Sequence, residues 1–232
     1  MVNIEFMNFI TAFKFLRRNL TRLLYLHYNV ILLKTVYAKS FHFNYRGIPT
    51  VKLPTDLANY QMIIHQTKPD LIIEIGTHLG GSALYLADLL EIMQIKGEVH
   101  TIDIEKRTLS DLILLNSKIK IFTEGWKFYD INNALKYKRI LVIDDGSHNR
   151  LDVEEALAKF APLVSVNSYY IVEDGITRYL GIDSELGLDG GPSAAIKNFI
   201  NTNHDFAIDI TFSKFWGKAL TANPSGYLKK IR

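Results

Sequence analysis

The chain of 232 residues contains no cysteine. This absence excludes disulfide bonds, thiolate metal ligands and cysteine nucleophiles together. Because a chain without cysteine suits a reducing compartment, we expect a cytoplasmic protein, and association with a membrane stays open.

Acidic residues are missing from the N-terminal part of the chain. No Asp or Glu lies between Phe6 and Thr55, whereas the first 55 positions hold eight Lys or Arg residues. The remainder is mildly acidic, since most of the 24 acidic residues lie there. A basic attachment on an acidic body provides no basic face, so nucleic acid is not expected as a partner.

Long apolar runs are also missing. The longest uncharged run near the N-terminus extends from Leu23 to Leu33, and a helix that spans a bilayer needs about 20 residues. Apolar residues at spacings of three and four over residues 6–37 predict an amphipathic helix. It either lies on a membrane surface or packs on the core or on another subunit of a homo-oligomer. We therefore predict a helical extension, residues 1–45, and a catalytic domain, residues 46–232.

Beyond residue 50, short apolar runs alternate with segments of helical pattern. Strands are predicted at Leu71–Ile75, Val99–Ile102, Ile119–Phe122, Arg139–Ile143 and Tyr169–Val172. Helices are predicted from Thr55 or Asp56 to His65 and over residues 82–93, 152–160 and 192–203, and Arg46 to Pro49 reads as a loop. Residues 206–212 and 227–231 are predicted as late strands in a hairpin at one edge. This order predicts a doubly wound, mostly parallel α/β sheet of the Rossmann-like class with an antiparallel C-terminal edge.

A glycine-containing turn follows the first core strand and reads Glu74-Ile75-Gly76-Thr77-His78-Leu79-Gly80-Gly81-Ser82. Glycine permits a tight turn and a close approach of backbone to a ligand. The spacing does not match G-x-G-x-x-G, so a dinucleotide pyrophosphate is disfavoured. An acid two residues before Gly76 would repel a pyrophosphate and attract a cationic ligand such as S-adenosylmethionine.

The next two strand ends carry further candidate contacts to a nucleoside. Asp103 ends the second strand, where a carboxylate can accept hydrogen bonds from the two hydroxyls of a ribose. Gly125 and Trp126 follow the third strand and could meet an adenine. A core or rim aromatic is the alternative for Trp126, and the Asp103 contact is shared by adenosylmethionine and NAD.

Acidic residues crowd the ends of the fourth and fifth strands. Asp144, Asp145 and, three residues further on, His148 follow the fourth strand, and Glu173 and Asp174 follow the fifth. Neighbouring parallel strands would bring these side chains together, and crowded carboxylates repel unless a cation lies between them. Oxygen ligands favour Mg²⁺ or another divalent cation, and His148 suits a general base. The alternative is structural, because Asp-Gly forms turns and Glu173-Asp174 can cap a helix.

Several motifs occur in order along about residues 45–232 and together resemble one family. They are Pro69-Asp70-Leu71-Ile72-Ile73-Glu74-Ile75-Gly76-Thr77, Gly80-Gly81-Ser82-Ala83, Asp145-Gly146-Ser147-His148, Val172-Glu173-Asp174, Gly191-Pro192-Ser193-Ala194-Ala195 and Asn223-Pro224-Ser225-Gly226-Tyr227-Leu228. This series resembles the cephalosporin hydroxylase/rhamnosyl O-methyltransferase family, whose proteins are class I methyltransferases. The Asp-Gly-Ser-His element also resembles the sugar O-methyltransferases of macrolide pathways.

The resemblance implies roles for individual residues. It implies that adenosylmethionine binds at Glu74, Gly76 and Asp103. It also implies a divalent metal held by Asp145, Glu173 and Asp174, with His148 as the base, although a shift of one residue would put Asp144 in place of Asp145. The remaining residues expected to contact the cofactor are Thr77, Gly80, Ser82, Gly125, Trp126 and Asp144.

The resulting hypothesis is a metal-assisted, S-adenosylmethionine-dependent O-methyltransferase that acts on a hydroxyl of a sugar, glycolipid or natural product. The glycine spacing disfavours an NAD-dependent oxidoreductase. An iron hydroxylase needs two converging histidines, whereas His65, His78, His100 and His148 are scattered. A non-catalytic glycan- or lipid-binding module on the same fold is the alternative from another class.

Residues 186–191 are either the hinge of a lid or a plain loop before a helix.

Overall fold

A computed structural model of the protein describes Ile31, residues 34–217 and residues 220–232. The amphipathic helix predicted over residues 6–37 therefore lies almost entirely outside the described residues. At its described end, residues 34–40 are helical, and Val36 and Tyr37 pack against a small cluster that contains Leu53 and Ile176. No helix among the described residues is long and apolar enough to cross a membrane.

Seven strands form one sheet in the order β5-β4-β3-β6-β7-β9-β8. They are β3 (Leu71–Ile75), β4 (Glu98–Ile102), β5 (Ile119–Phe122), β6 (Ile140–Asp144), β7 (Tyr169–Val172), β8 (Phe206–Ile208) and β9 (Tyr227–Lys230). The pairs from β5 to β7 are parallel, whereas β9 pairs antiparallel with both β7 and β8. The predicted mostly parallel α/β sheet with an antiparallel C-terminal part is confirmed.

Helices cover both faces of the sheet. They are α1 (Pro54–Thr67), α2 (Gly81–Ile92), α3 (Asp111–Leu114), α4 (Arg150–Phe160), α5 (Ile176–Leu180), α6 (Gly191–Thr202) and α7 (Ile210–Lys214). All five residues of β3 are buried, as expected for a strand covered on both sides. Ile72 belongs to the core cluster with α1 and α2, and Ile73 belongs to the cluster with α4 and α6. Successive side chains of β3 therefore point to opposite faces of the sheet and pack into two separate cores.

The chain reverses direction across the sheet between β3 and β6. From β3 it continues outward to β4 and β5, and it then returns to place β6 on the other side of β3. In open α/β sheets, ligands bind beyond the carboxyl ends of the strands at such a switch point. The crevice beyond β3 and β6 is therefore where a functional site is expected.

The prediction of one strand over residues 206–212 was wrong beyond Ile208. The carboxylate of Asp209 accepts the backbone N–H of Thr211 at 2.9 Å and so caps α7. An Asp at this position satisfies an N–H group that would otherwise lack a partner at the start of the helix. The two late strands pair with each other, but α7 lies between them in the chain, and they do not form a tight hairpin.

The segment before α1 also differs from its prediction. Residues 46–49 were predicted as a loop, but β1 (Asn44–Tyr45) and β2 (Ile48–Pro49) form a short hairpin. Arg46 and Gly47 both have positive φ, which is the conformation that two-residue hairpin turns require. Helix α1 begins at Pro54, which needs no N–H partner, and neither Thr55 nor Asp56 provides a cap.

Candidate active site

The ends of β3 and β6 are in direct contact at the switch point. The backbone N–H of Asp145 donates to the carbonyl oxygen of Ile75 at 2.8 Å. A β-carbon added to Gly76 would lie 2.1 Å from the carbonyl oxygen of Asp145. Because that distance is shorter than any tolerable contact and Gly76 has a φ of +100°, only glycine fits between the two strand ends.

A cleft of about 610 Å³ opens beside this contact. Its lining includes four residues that the sequence assigned to cofactor binding, namely Gly76, Asp103, Gly125 and Trp126. They follow β3, β4 and β5, so consecutive strand ends supply one wall. Asp145, after β6, also lines the cleft and connects it to the acidic cluster beyond.

Asp103 organises the backbone at the mouth of the cleft. One of its carboxylate oxygens accepts the N–H of His78 at 2.8 Å, and the other accepts the N–H of Glu105 at 3.0 Å. The N–H of Gly125 donates to the carbonyl oxygen of Asp103 at 3.0 Å. A carboxylate has about four acceptor positions, so Asp103 is held in place and still has capacity for a ligand.

Glu74 and Thr77 belong to a buried polar chain behind the glycine turn. The hydroxyl of Thr101 donates to one oxygen of Glu74 at 2.6 Å and lies 2.7 Å from the hydroxyl of Thr77. The other oxygen of Glu74 is buried and has no hydrogen-bond partner among the described residues. Burial raises the pKa of this carboxyl group, against the opposing effect of the nearby Lys52 ammonium. An unsatisfied buried carboxylate oxygen fits a donor from a bound ligand or water.

The second part of the glycine turn serves packing. A β-carbon on Gly80 would lie 2.3 Å from the side chain of Ile113, and one on Gly81 would lie 2.0 Å from the hydroxyl of Thr50. These two glycines therefore allow the start of α2 to lie against α3 and against the β1–β2 hairpin. Ser82 lines a small cavity that also contacts Gly76.

Asp144 and Asp145 differ sharply in their surroundings. Asp144 is buried and accepts a hydrogen bond from the hydroxyl of Tyr170 at 3.0 Å, and burial raises its pKa to about 6. Asp145 lies beyond the end of β6, and its side chain is 21% exposed. Successive residues of an extended chain point in opposite directions, which is why one of them faces the core and the other faces the site.

Three of the predicted reactive residues converge beyond β6 and β7. Ligand atoms of Asp145, His148 and Asp174 all lie within 4.8 Å of one another. Nε2 of His148 is 3.7 Å from Oδ1 of Asp145 and 3.4 Å from Oδ2 of Asp174. His148 and Asp174 both have a left-handed backbone, with φ of +58° and +55°. For residues other than glycine this conformation is costly, and it concentrates at functional sites.

Glu173 lies outside this group of three. Its side chain is 3% exposed, and one of its oxygens accepts a hydrogen bond from Nζ of Lys52 at 2.6 Å. The same Nζ contacts Oδ2 of Asp145. Burial alone would lower the pKa of the Lys52 ammonium, but the carboxylates of Asp145 and Glu173 outweigh burial and hold it above its ordinary value. Lys52 is thus a charged component of the site.

Sequence reasoning missed Lys52. It lies outside every predicted strand and helix, and it is 93 positions from Asp145 in the chain. Its immediate neighbours, Val51 and Leu53, carry no chemistry that would single it out. Only a requirement that crowded buried carboxylates have a cation could have prompted a search for a lysine.

The loop of residues 186–191 packs against the start of α4. The side chain of Arg150 donates to the carboxylate of Asp189 at 2.8 Å, and its backbone N–H donates to the carbonyl oxygen of Leu188 at 3.1 Å. This loop therefore lies close to the His148 segment. Its role as a lid stays a prediction.

A parallel sheet with one inserted antiparallel strand, a glycine turn at the switch point and an acid at the next strand end define the class of the protein. It is the doubly wound, Rossmann-like α/β class. Residues 37–231 match the family described as Rhamnosyl O-methyltransferase/CmcI. The chain belongs to that family.

Relatives in mycobacteria carry the same family name. A rhamnosyl O-methyltransferase of Mycobacterium bovis (strain BCG / Pasteur 1173P2) is 28% identical over 192 residues, which cover 79% of this chain and 76% of the relative. Another, from Mycobacterium leprae (strain TN), is 26% identical over 184 residues, which cover 76% and 79%. Class and family together make the protein an S-adenosylmethionine-dependent O-methyltransferase.

Solved structures share the fold. A CmcI structure with Mg and SAM superposes with a TM-score of 0.58 at 20% identity, covering 82% of this chain and 77% of CmcI. The O-methyltransferase TomG from Streptomyces achromogenes, in complex with SAM, gives a TM-score of 0.53 at 16% identity, covering 79% and 82%. Both confirm the class I architecture.

Proposed function

We propose that the protein transfers the methyl group of S-adenosylmethionine to a sugar hydroxyl of a glycolipid, polysaccharide or natural product, assisted by a divalent metal ion. The observation that carries the proposal is the convergence of Asp145, His148 and Asp174 next to the cleft beyond β3 and β6. The rhamnosyl O-methyltransferase relatives support a sugar as the acceptor.

The residues of the cluster fit a divalent metal. Two carboxylates and an imidazole within 4.8 Å are ligand types that Mg²⁺ or Mn²⁺ accepts, and a partly exposed site leaves room for water and substrate oxygens. We assign the metal to Asp145 and Asp174, with Glu173 as the adjoining acid after β7. A divalent ion held there would lower the pKa of a substrate hydroxyl.

The cleft fits S-adenosylmethionine. We assign Asp103 to the ribose hydroxyls, Gly125 and Trp126 to the adenine, and Gly76 to close backbone contact with the ligand. The unpartnered oxygen of Glu74 suits an ammonium group, directly or through water. A bound cofactor would present its methyl group near the acidic cluster, because Asp145 lines the cleft and belongs to the cluster as well.

His148 is assigned as the general base. Its Nε2 would accept the proton of the substrate hydroxyl, and the carboxylates of Asp145 and Asp174, at 3.7 Å and 3.4 Å, would stabilise the imidazolium that results. The same nitrogen is close enough to these carboxylates to share a metal ion with them. One lone pair cannot serve both purposes, so the two roles make different predictions for a variant of His148.

The test is methyl transfer by the full-length protein from labelled S-adenosylmethionine to a panel of glycans that includes terminal rhamnosides. We expect a mass increase of one methyl group on one class of sugar, loss of transfer in EDTA and recovery with Mg²⁺. Calorimetry should show binding of S-adenosylmethionine and none of NAD. Full activity in chelator would show that methyl transfer needs no metal ion. Binding of NAD without binding of S-adenosylmethionine would contradict the proposed methyl transfer.

A further inference from the structure

Lys52 joins the ends of two strands through a single ammonium group. It is the only Lys or Arg among the described residues that is buried, and its side chain is 3% exposed. Nζ contacts the carboxylate of Asp145 after β6 and that of Glu173 after β7. A buried ammonium that keeps its charge needs such partners, so this geometry ties the three side chains together.

The ammonium contacts only one oxygen of Asp145. Nζ of Lys52 contacts Oδ2, whereas Oδ1 faces Nε2 of His148 at 3.7 Å. Oδ2 of Asp174 lies 3.4 Å from the same nitrogen. Because a carboxylate is planar and rigid, holding Oδ2 also determines where Oδ1 points. Lys52 therefore lies behind Asp145 and leaves the open side of the cluster free.

The backbone around Lys52 is itself fixed. Its N–H donates to the carbonyl oxygen of Thr50 at 2.9 Å, and the buried hydroxyl of Thr50 donates to the carbonyl oxygen of Ile48 at 3.0 Å. Leu53, the next residue, is 1% exposed and precedes the first turn of α1. These contacts hold the backbone on both sides of Lys52, and its side chain is buried.

We propose that Lys52 is a positioning residue of the metal site, whose ammonium fixes Asp145 so that Oδ1 faces the imidazole of His148. The inference rests on the proposed metal site. It competes with a purely electrostatic role, because a positive charge beside a metal site repels the metal and its removal would then tighten metal binding. A positioning role predicts the opposite change, since loss of a group that orients a ligand typically weakens metal affinity by about 10- to 100-fold.

The experiment compares the wild type with Lys52→Met and with the control Arg46→Met. Arg46 lies in the hairpin that precedes Lys52 and pairs with Asp88 near the surface, so both variants lose one positive charge. Mg²⁺ affinity is measured by calorimetry, and Mn²⁺ coordination by electron paramagnetic resonance. We expect Lys52→Met to bind Mg²⁺ at least about tenfold more weakly with an altered Mn²⁺ spectrum, and Arg46→Met to match the wild type.

The absence of cysteine allows a rescue. In Lys52→Cys the single thiol can be alkylated with 2-bromoethylamine in denaturant, which restores an ammonium on a stem of lysine length before refolding. We expect the aminoethylated protein to regain affinity and the Mn²⁺ spectrum, whereas the unmodified protein does not. Circular dichroism of both forms must show that the unmodified protein refolds, so that their difference in affinity reports positioning and not folding.

Equal or tighter Mg²⁺ binding by Lys52→Met would overturn the positioning role, and so would an aminoethylated protein that binds no better than its unmodified form. A wild type that binds neither Mg²⁺ nor Mn²⁺ would instead overturn the metal site of the proposed function. The two failures are thereby distinguishable.

Discussion

The carbonyl oxygen of Asp145 occupies the space that a side chain on Gly76 would need. The calculated separation from an added β-carbon is 2.1 Å, and both residues lie at the switch point of the sheet. One backbone contact therefore joins the proposed cofactor turn to the proposed metal cluster. A substitution at residue 76 should therefore affect both the cofactor turn and the metal cluster.

Replacing Gly76 with alanine should reduce the free energy of unfolding by about 2–5 kcal/mol, because the added methyl group meets backbone and the positive φ is strained. The cleft should also lose its affinity for S-adenosylmethionine. Urea denaturation and calorimetry measure the two effects. Gly187 has a φ of +66° with nothing within 4 Å of an added β-carbon, so Gly187→Ala should cost only about 1–2 kcal/mol. An equal loss of unfolding free energy in Gly76→Ala and Gly187→Ala would contradict the steric argument.

Replacing His148 with alanine should lower kcat by about 10²–10⁴ if the imidazole is the general base. Affinity for S-adenosylmethionine and for Mg²⁺ should stay close to that of the wild type, since neither ligand then depends on the imidazole. Steady-state kinetics and calorimetry are the measurements, with the exposed residue His65 as the site of a control alanine. A large fall in Mg²⁺ affinity would make His148 a metal ligand instead.

Replacing Glu74 with glutamine should weaken the binding of S-adenosylmethionine by about 10- to 100-fold, which is the usual contribution of a hydrogen bond to a charged group. The reason is that the buried carboxylate oxygen without a partner would lose its charge. Glu124 is an exposed acid that lines the cleft, so Glu124→Gln controls for general loss of negative charge. An unchanged dissociation constant in Glu74→Gln would show that the cofactor does not use this oxygen.

His100 should make the fold sensitive to acid. Burial lowers the pKa of this histidine from 6.5 to about 4. Between these values the unfolded chain binds a proton that the folded chain does not, so the free energy of unfolding falls as pH drops from about 6.5 towards 4. The loss should be about 2 kcal/mol between pH 7 and pH 4.5.

The variant His100→Phe should lose that part of the pH dependence, measured as the difference from the wild type in urea denaturation at each pH. Val99→Ala on the same strand is the control, because it removes core contacts but no proton-binding group. If His100→Phe keeps the wild-type slope, the acid sensitivity has another origin.

Much of the fold could be predicted from the chain alone. The strands at residues 71–75, 119–122 and 169–172 have the predicted bounds, since a strand buried on both faces must be a short apolar run bounded by turn residues. The prediction was wrong after Ile208, where Asp209 caps a helix although the apolar residues continue. It was also wrong at Arg46 and Gly47, because the hairpin there has strands of only two residues and no readable alternation.

The sequence by itself determined that a glycine turn, an aspartate and an acidic cluster follow consecutive strands. Parallel strands end at one edge of a sheet, and chain order therefore sufficed to group these residues. Only the tertiary structure decided which side chain each of these acids contacts. Glu173 and Asp174 are neighbours in the chain, but the chain turns away from β7 at Asp174, whose φ is +55°, so that Glu173 meets Lys52 and Asp174 meets His148. Contacts such as that of Lys52 with Asp145, between residues 93 positions apart, depend on how the hairpin, α1 and the sheet pack in three dimensions, and no local pattern records them.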